Sequence, residues 1–101
     1  MGIDALDLAF RLEKAFCVKL PKRDWNRLYF SDEQLTHKRL PRVDPTIGEI
    51  HLRFCKILIE RGATVPTDSW DRVLQCVAEC LSIPKAEIRK ESRFIADLGA
   101  S

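Results

Sequence analysis

The sequence has no apolar run that approaches the roughly 20 residues needed to cross a bilayer, and it has no basic start followed by an apolar block. Asp4 and Asp7 stand near the N-terminus instead, which is atypical of a secretory signal peptide. We therefore expect a cytoplasmic protein with no membrane partner. The alternation of apolar and polar residues that marks strands is also missing, and no segment repeats at a fixed spacing.

Motifs for catalysis and metal binding are equally scarce. No glycine-rich phosphate loop is present, and neither His37 nor His51 has a nucleophile at a suggestive spacing, so we predict that the protein is not an enzyme. None of the four cysteines forms a C-x-x-C pair, and each falls on or next to an apolar helical face, which predicts reduced core thiols. Zinc, a disulfide or a reactive thiol are the alternatives for these residues: Cys17, Cys55, Cys76 and Cys80.

What the sequence does contain is helical spacing of apolar residues. The 101 residues, 46% of them hydrophobic, suffice for one compact domain over 1–101. A capping box at Thr46 and Glu49, a C-terminal Gly62 and a predicted N-cap at Asp68 mark helix ends. The stripe predicted for the first helix comprises Ile3, Leu6, Phe10, Leu12 and Phe16. Three main helices are predicted, with one or two short helices between 22 and 45 and a long polar loop after 82: the main ones cover 3–16, 47–61 and 69–82.

Several stretches resemble the acyl carrier protein family. The segment "DSWDRVLQCVAECLSIPKAEIRKESRFIADLGA" resembles the family's first helix and following loop. The start, "IDALDLAFRLEKAFCVKLP", resembles the helix that follows the loop, and "TIGEIHLRF" resembles the start of the last helix. The resemblance implies an all-α, acyl-carrier-protein-like helical bundle that is circularly permuted. Residues 1–66 would supply the second, third and last family helices, and 67–101 the first helix and loop. A homodimer that exchanges elements is the alternative to a permuted monomer.

The resemblance also implies where a prosthetic group would stand. In the family, the serine of a D-S-L motif carries 4'-phosphopantetheine, but Ala5 fills that position here and has no hydroxyl. This implies a non-catalytic module without the cofactor, serving protein interaction or remaining as a degenerate carrier. An active carrier that uses Ser101, or a serine beyond the chain end, is the alternative. The positions that match the motif are Asp97, Leu98, Gly99, Asp4, Ala5 and Leu6.

Charge distinguishes the chain from the family, whose helix after the serine is acidic and is bound by basic partners. Residues 1–23 here contain three acidic and five basic side chains, a net charge of +2. A basic surface would repel partners built for an acidic one and favours a partner with an acidic surface. A solvated face without a partner is the alternative, and a nucleic acid is less favoured because no groove-reading motif is present. The main basic cluster comprises Lys22, Arg23, Arg27, Lys38, Arg39 and Arg42.

Overall fold

The computed structural model describes residues 3–36 and 43–100, and no strand occurs in these two segments. Their fold is all-α, as predicted, with three main helices and two short ones. A single 3-10 turn at Lys85–Glu87 interrupts the loop that follows the last helix. The helices are α1 (Ile3–Phe16), α2 (Lys22–Tyr29), α3 (Asp32–Leu35), α4 (Ile47–Glu60) and α5 (Ser69–Leu81).

Local capping explains where α3 and α4 begin and where α4 ends. The Thr46 hydroxyl accepts a hydrogen bond from the Glu49 amide at 3.2 Å, and the Glu49 carboxylate accepts one from the Thr46 amide at 3.1 Å. Ser31 and Gln34 form the same reciprocal pair at the start of α3. Gly62 has a φ of +76° just after α4, a left-handed conformation that glycine adopts without strain. These local signals are confirmed.

Asp68 takes the predicted N-cap position, but the predicted capping hydrogen bond to its side chain is absent. Asp68 precedes α5, but its side chain caps no backbone amide. Its φ of −95° and ψ of 23° differ from the extended conformation that aims a capping oxygen at the helix. The carboxylate instead lies 3.0 Å from the Nε atom of Arg72, one turn along α5.

The core forms where α5 packs against both α1 and α4, and α2 packs against α4. The packing of α5 on both other main helices therefore occurs within one chain. Small and sulfur-containing side chains bring α1 and α5 close together. The Cys80 thiol lies 3.4 Å from the Asp4 carbonyl and the Cys76 thiol 3.6 Å from that of Arg11. The largest fully buried side chains are Phe54, Phe94, Leu8, Leu12, Leu28, Ile47, Ile50, Ile57, Leu58, Val73 and Val77.

Only two of the five residues of the predicted stripe on α1 are buried. Leu12 and Phe16 are buried, but Ile3, Leu6 and Phe10 are 80%, 49% and 56% exposed. The helix carries apolar residues on two sides, and α5 packs on the side with the alanines, which allow the closer backbone approach. Its inward face is Ala5, Leu8, Ala9, Leu12 and Phe16, a run at helical spacing.

The cysteines differ in their environments. Cys76 is buried, Cys55 and Cys80 are half-buried, and all four are free thiols. Burial raises the pKa of Cys76 to about 11 and that of Cys80 to about 12, so both stay protonated thiols. The core prediction is wrong for Cys17, which is exposed. Its φ of 53° falls where the chain leaves α1, so the backbone no longer follows the helix there.

The loop after α5 closes onto the start of α4 through a segment that we name the strap, residues 89–97. The Ile47 amide donates to the Ser92 carbonyl and the Gly48 amide to the Lys90 carbonyl, both at 2.9 Å. These amides belong to the first turn of α4, where no helical carbonyl can accept them. A Cβ atom on Gly48 would stand 3.1 Å from the Lys90 oxygen, so a larger residue there would need the strap to shift by a few tenths of an ångström.

Candidate functional site

Tyr29 of α2 joins the two segments that hold the halves of the carrier-like motif. Its hydroxyl donates a 2.5 Å hydrogen bond to the Ala5 carbonyl in the first turn of α1. Its ring stacks on that of Phe94 in the strap, with centroids 5.9 Å apart and an angle of 20° between the planes. Both aromatic side chains are buried, at 4% and 1% exposure. The beginning of α1 and the end of the strap therefore meet on one side chain.

The first half of the motif lies on α1, where its three residues face different directions. Ala5 is only 5% exposed and packs in the core, whereas Leu6 is half exposed. The Asp4 carbonyl accepts the contact from the Cys80 thiol. A serine side chain at position 5 would therefore face the core, not the solvent from which a modifying enzyme approaches.

The second half of the motif forms a closed turn. The Asp97 carboxylate accepts a hydrogen bond from the Arg93 amide at 2.8 Å. Gly99 has a φ of +76°, and the Ala100 amide then donates to the Phe94 carbonyl at 3.2 Å. Leu98 is half-buried against the core. Ser101, the predicted candidate for attachment, lies outside the described residues.

The outward side of α1 carries exposed apolar side chains. We name the α1 outer face as the side chains of Ile3, Leu6 and Phe10, which have i, i+3 and i+7 spacing. Phe10 packs edge-on against Trp25 of α2, with centroids 4.9 Å apart. The indole Nε1 atom of Trp25 is buried without a hydrogen-bond partner in the described segments.

The charges beside the α1 outer face are basic. Lys14 lies one turn after Phe10, Lys22 lies one turn before Trp25, and both are exposed. Neither makes an ion pair among residues 3–36 and 43–100. Asp7, which lies one turn after Ile3 on the same helix, is paired with Arg11 at 3.0 Å. This pairing lowers the pKa of Asp7, and the positive charge of Arg11 offsets the negative charge of Asp7.

His51 is half-buried between α4 and α5. Its Nε2 atom lies 2.9 Å from the Ser69 hydroxyl, and its ring packs edge-on against Trp70 at 5.4 Å. Burial, and to a smaller extent the charge of Lys90, lower the pKa of His51. Ser69 is itself buried, so the pair joins two helices.

In the two described segments, no group of three or more histidine, cysteine, aspartate or glutamate side chains could hold a metal ion. No helix among those residues has the length and apolar character to cross a membrane. Comparisons of the chain with protein-family models, curated proteins and solved structures found no match.

The pattern of 22–29 predicts that Trp25, Leu28 and Tyr29 face inward; Leu28 and Tyr29 are buried, and Trp25 is half-buried. The pattern does not predict the bond from Tyr29 to Ala5 or the contact of Phe10 with Trp25, since each joins elements far apart in the chain. The helical spacing of Ala5, Leu8 and Ala9 could have predicted the inward face of α1.

Proposed function

We propose that the protein is a non-catalytic, acyl-carrier-protein-like module with rotated element order, which binds a protein partner through the α1 outer face. The observation that carries this proposal is the exposure of Ile3, Leu6 and Phe10 at 80%, 49% and 56%. The opposite side of the same helix is packed. Three neighbouring apolar side chains facing water on one helix are typical of an interaction surface.

The rotated order is supported by the junction at Tyr29. That side chain contacts both Ala5 and Phe94, which belong to the two segments that adjoin the serine in the family. Joining the ends of a bundle and cutting it elsewhere leaves the packed contacts unchanged. Because α5 packs on α1 and α4 within one chain, we favour the permuted monomer over a homodimer that exchanges elements.

The residues at the motif do not fit a 4'-phosphopantetheine group. Attachment needs an exposed hydroxyl at a helix start, where the helix dipole favours the phosphate. Ala5 has no hydroxyl and is 5% exposed. The proposed role is therefore binding by the folded surface itself, without a carried thioester.

The charges of the site indicate the chemistry of the partner. Exposed Lys14 and Lys22 flank the contact of Phe10 with Trp25 and form no ion pair within the described segments. A partner with an apolar ridge and acidic side chains beside it would fill the face and neutralise both lysines. Such a partner also matches the basic excess of residues 1–23.

A nucleic acid is a weaker candidate, because part of the basic cluster is already neutralised. Arg27 is ion-paired with both Asp24 and Glu60. Lys22 and Arg23 remain exposed, and the three other members of the cluster, Lys38, Arg39 and Arg42, lie outside the described residues.

The docking proposal is tested with a designed amphipathic helical peptide that carries leucines at i, i+3 and i+7 beside glutamates. We expect binding by calorimetry, with weaker binding of the same peptide when lysines replace the glutamates. Phe10→Ser should reduce the affinity at least about tenfold, since aromatic anchors dominate such contacts. Leu52→Ser, at another apolar side chain that is 69% exposed, is the matched control. No binding, or equal losses in both variants, would reject the face.

The carrier alternative is tested by incubating the protein with coenzyme A and a broad-specificity phosphopantetheinyl transferase. Intact-mass spectrometry should show no added group on the natural chain. It should show none on Ala5→Ser either, because that hydroxyl would be buried. A conventional acyl carrier protein in the same reaction is the positive control. Phosphopantetheine on Ser101 would establish an active carrier and end the non-catalytic proposal.

A further inference from the structure

A second site lies away from the α1 outer face, in an open cleft of about 710 Å³ bordered by α2, α3 and the end of α4. Three arginines line it, Arg23, Arg27 and Arg61, together with Asp24 and Glu60. The formal charge of these five side chains is +1. A cleft that gathers three guanidinium groups favours anions.

Both carboxylates of the cleft are already engaged. Asp24 is 5% exposed, with one oxygen 3.3 Å from Nη1 of Arg27 and the other 3.1 Å from Nε of Arg61. Both Glu60 oxygens lie near Nη2 of Arg27, at 2.9 and 2.7 Å. The acidic groups therefore hold two of the arginines in place, Arg27 through both carboxylates and Arg61 through Asp24.

Hydrogen-bond donors, by contrast, remain unused. The terminal nitrogens of Arg61 have no partner in the described segments, and the same holds for the whole guanidinium of exposed Arg23. The side-chain amide of Asn26 also borders the cleft without a hydrogen bond to any described residue. The site thus offers planar N–H groups from two arginines and an amide, while the two carboxylates beside them, Asp24 and Glu60, are ion-paired with Arg27 and Arg61.

We propose that this cleft binds a small molecule that carries a phosphate monoester. A phosphate has several strong acceptor oxygens in a tetrahedral arrangement, and guanidinium groups bind it through paired hydrogen bonds. Its negative charge complements the excess positive charge of the cleft. Asp24 fixes Arg61 and Arg27 before the ligand arrives, which reduces the entropy lost on binding. The site is independent of the proposed docking at α1.

The test is an NMR titration of the full chain with inorganic phosphate, at constant ionic strength maintained with chloride. We expect saturable shifts of the Nε–Hε resonances of Arg23 and Arg61 and of the α2 amides. Arg23→Gln should weaken binding about tenfold, the effect of losing one charge-assisted contact. Arg23 is exposed and its side chain makes no hydrogen bond or ion pair with a described residue, so this variant should keep the fold, which its amide spectrum reports.

Arg89→Gln is the matched control, since it removes the same charge from an exposed position in the strap and should leave the affinity unchanged. Shifts that fail to saturate, or an equal effect of both variants, would overturn the proposal. Equal binding of acetate would also overturn the assignment to phosphate. None of these outcomes depends on peptide binding at α1, so the two proposals fail separately.

Discussion

Phe94→Ala is expected to lower the free energy of unfolding by about 3–5 kcal/mol, the range for removing a buried phenylalanine. Phe94 is 1% exposed and stacks on Tyr29. Its truncation therefore leaves a cavity beside Tyr29, whose hydroxyl donates to the Ala5 carbonyl. The Phe94 amide donates to the Pro45 carbonyl at 3.0 Å, so the backbone of Phe94 is fixed just before the start of α4. Urea unfolding followed by circular dichroism measures the change.

Ile95→Ala is the matched control for Phe94, since it is the next residue of the strap and is 40% exposed. We expect a loss below about 1 kcal/mol at this position, because little apolar surface leaves water there. A loss below that value for Phe94→Ala as well would mean that the strap does not dock on Tyr29. The contact of Tyr29 with Phe94 would then no longer support the proposed rotated order of the helices.

Asp24→Ala is expected to lower the free energy of unfolding by about 2–3 kcal/mol. The carboxylate is buried, and its two oxygens accept hydrogen bonds from Arg27 and Arg61. Its removal leaves two guanidinium groups facing each other across the joint between α2 and α4. The loss stays at the lower end for a buried ion pair, because the two arginine side chains are 25% and 37% exposed and water reaches them.

Glu60→Ala provides the comparison for Asp24, because it removes the other carboxylate of the same cleft. Its side chain is 43% exposed, and surface ion pairs contribute about 0–1 kcal/mol. Thermal unfolding at matched pH should therefore show a larger loss of stability for Asp24→Ala than for Glu60→Ala. If Glu60→Ala costs as much as Asp24→Ala, burial is not what makes the Asp24 contacts strong.

The helices could be predicted from the sequence because their signals are local. The capping boxes at Thr46 and Ser31 and the left-handed Gly62 depend on neighbours within one turn, so they form wherever the rest of the chain lies. The main helix ranges agree with the structure within a residue or so at each end. Asp68 shows the limit even here, since a residue of the right type did not take the backbone conformation that capping needs.

The face of α1 could not be fixed in the same way. Its apolar residues lie on two sides, and local spacing does not say which side α5 will cover. That choice depends on how closely two backbones can approach, which favours the side of Ala5 and Ala9 over that of Phe10. The candidate site follows from the choice, because it decides both that position 5 is buried and that Phe10 is exposed.

The sequence predicts a long polar loop after 82, but it does not predict the bonds that join the strap to α4. They join main-chain atoms, Ser92 and Lys90 carbonyls to Ile47 and Gly48 amides, and main-chain atoms carry no residue-specific signal. Only Gly48 hints at them, as a residue of low helix propensity in the first turn of a helix.

These main-chain bonds also bear on how the chain exchanges amide hydrogens with solvent. The first amides of a helix normally exchange quickly, since the helix frays from its ends. At α4 the Ile47 and Gly48 amides are covered by the Ser92 and Lys90 carbonyls of the strap. Their exchange therefore requires the strap to detach, and the start of α4 and the last part of the sequence open as one cooperative unit.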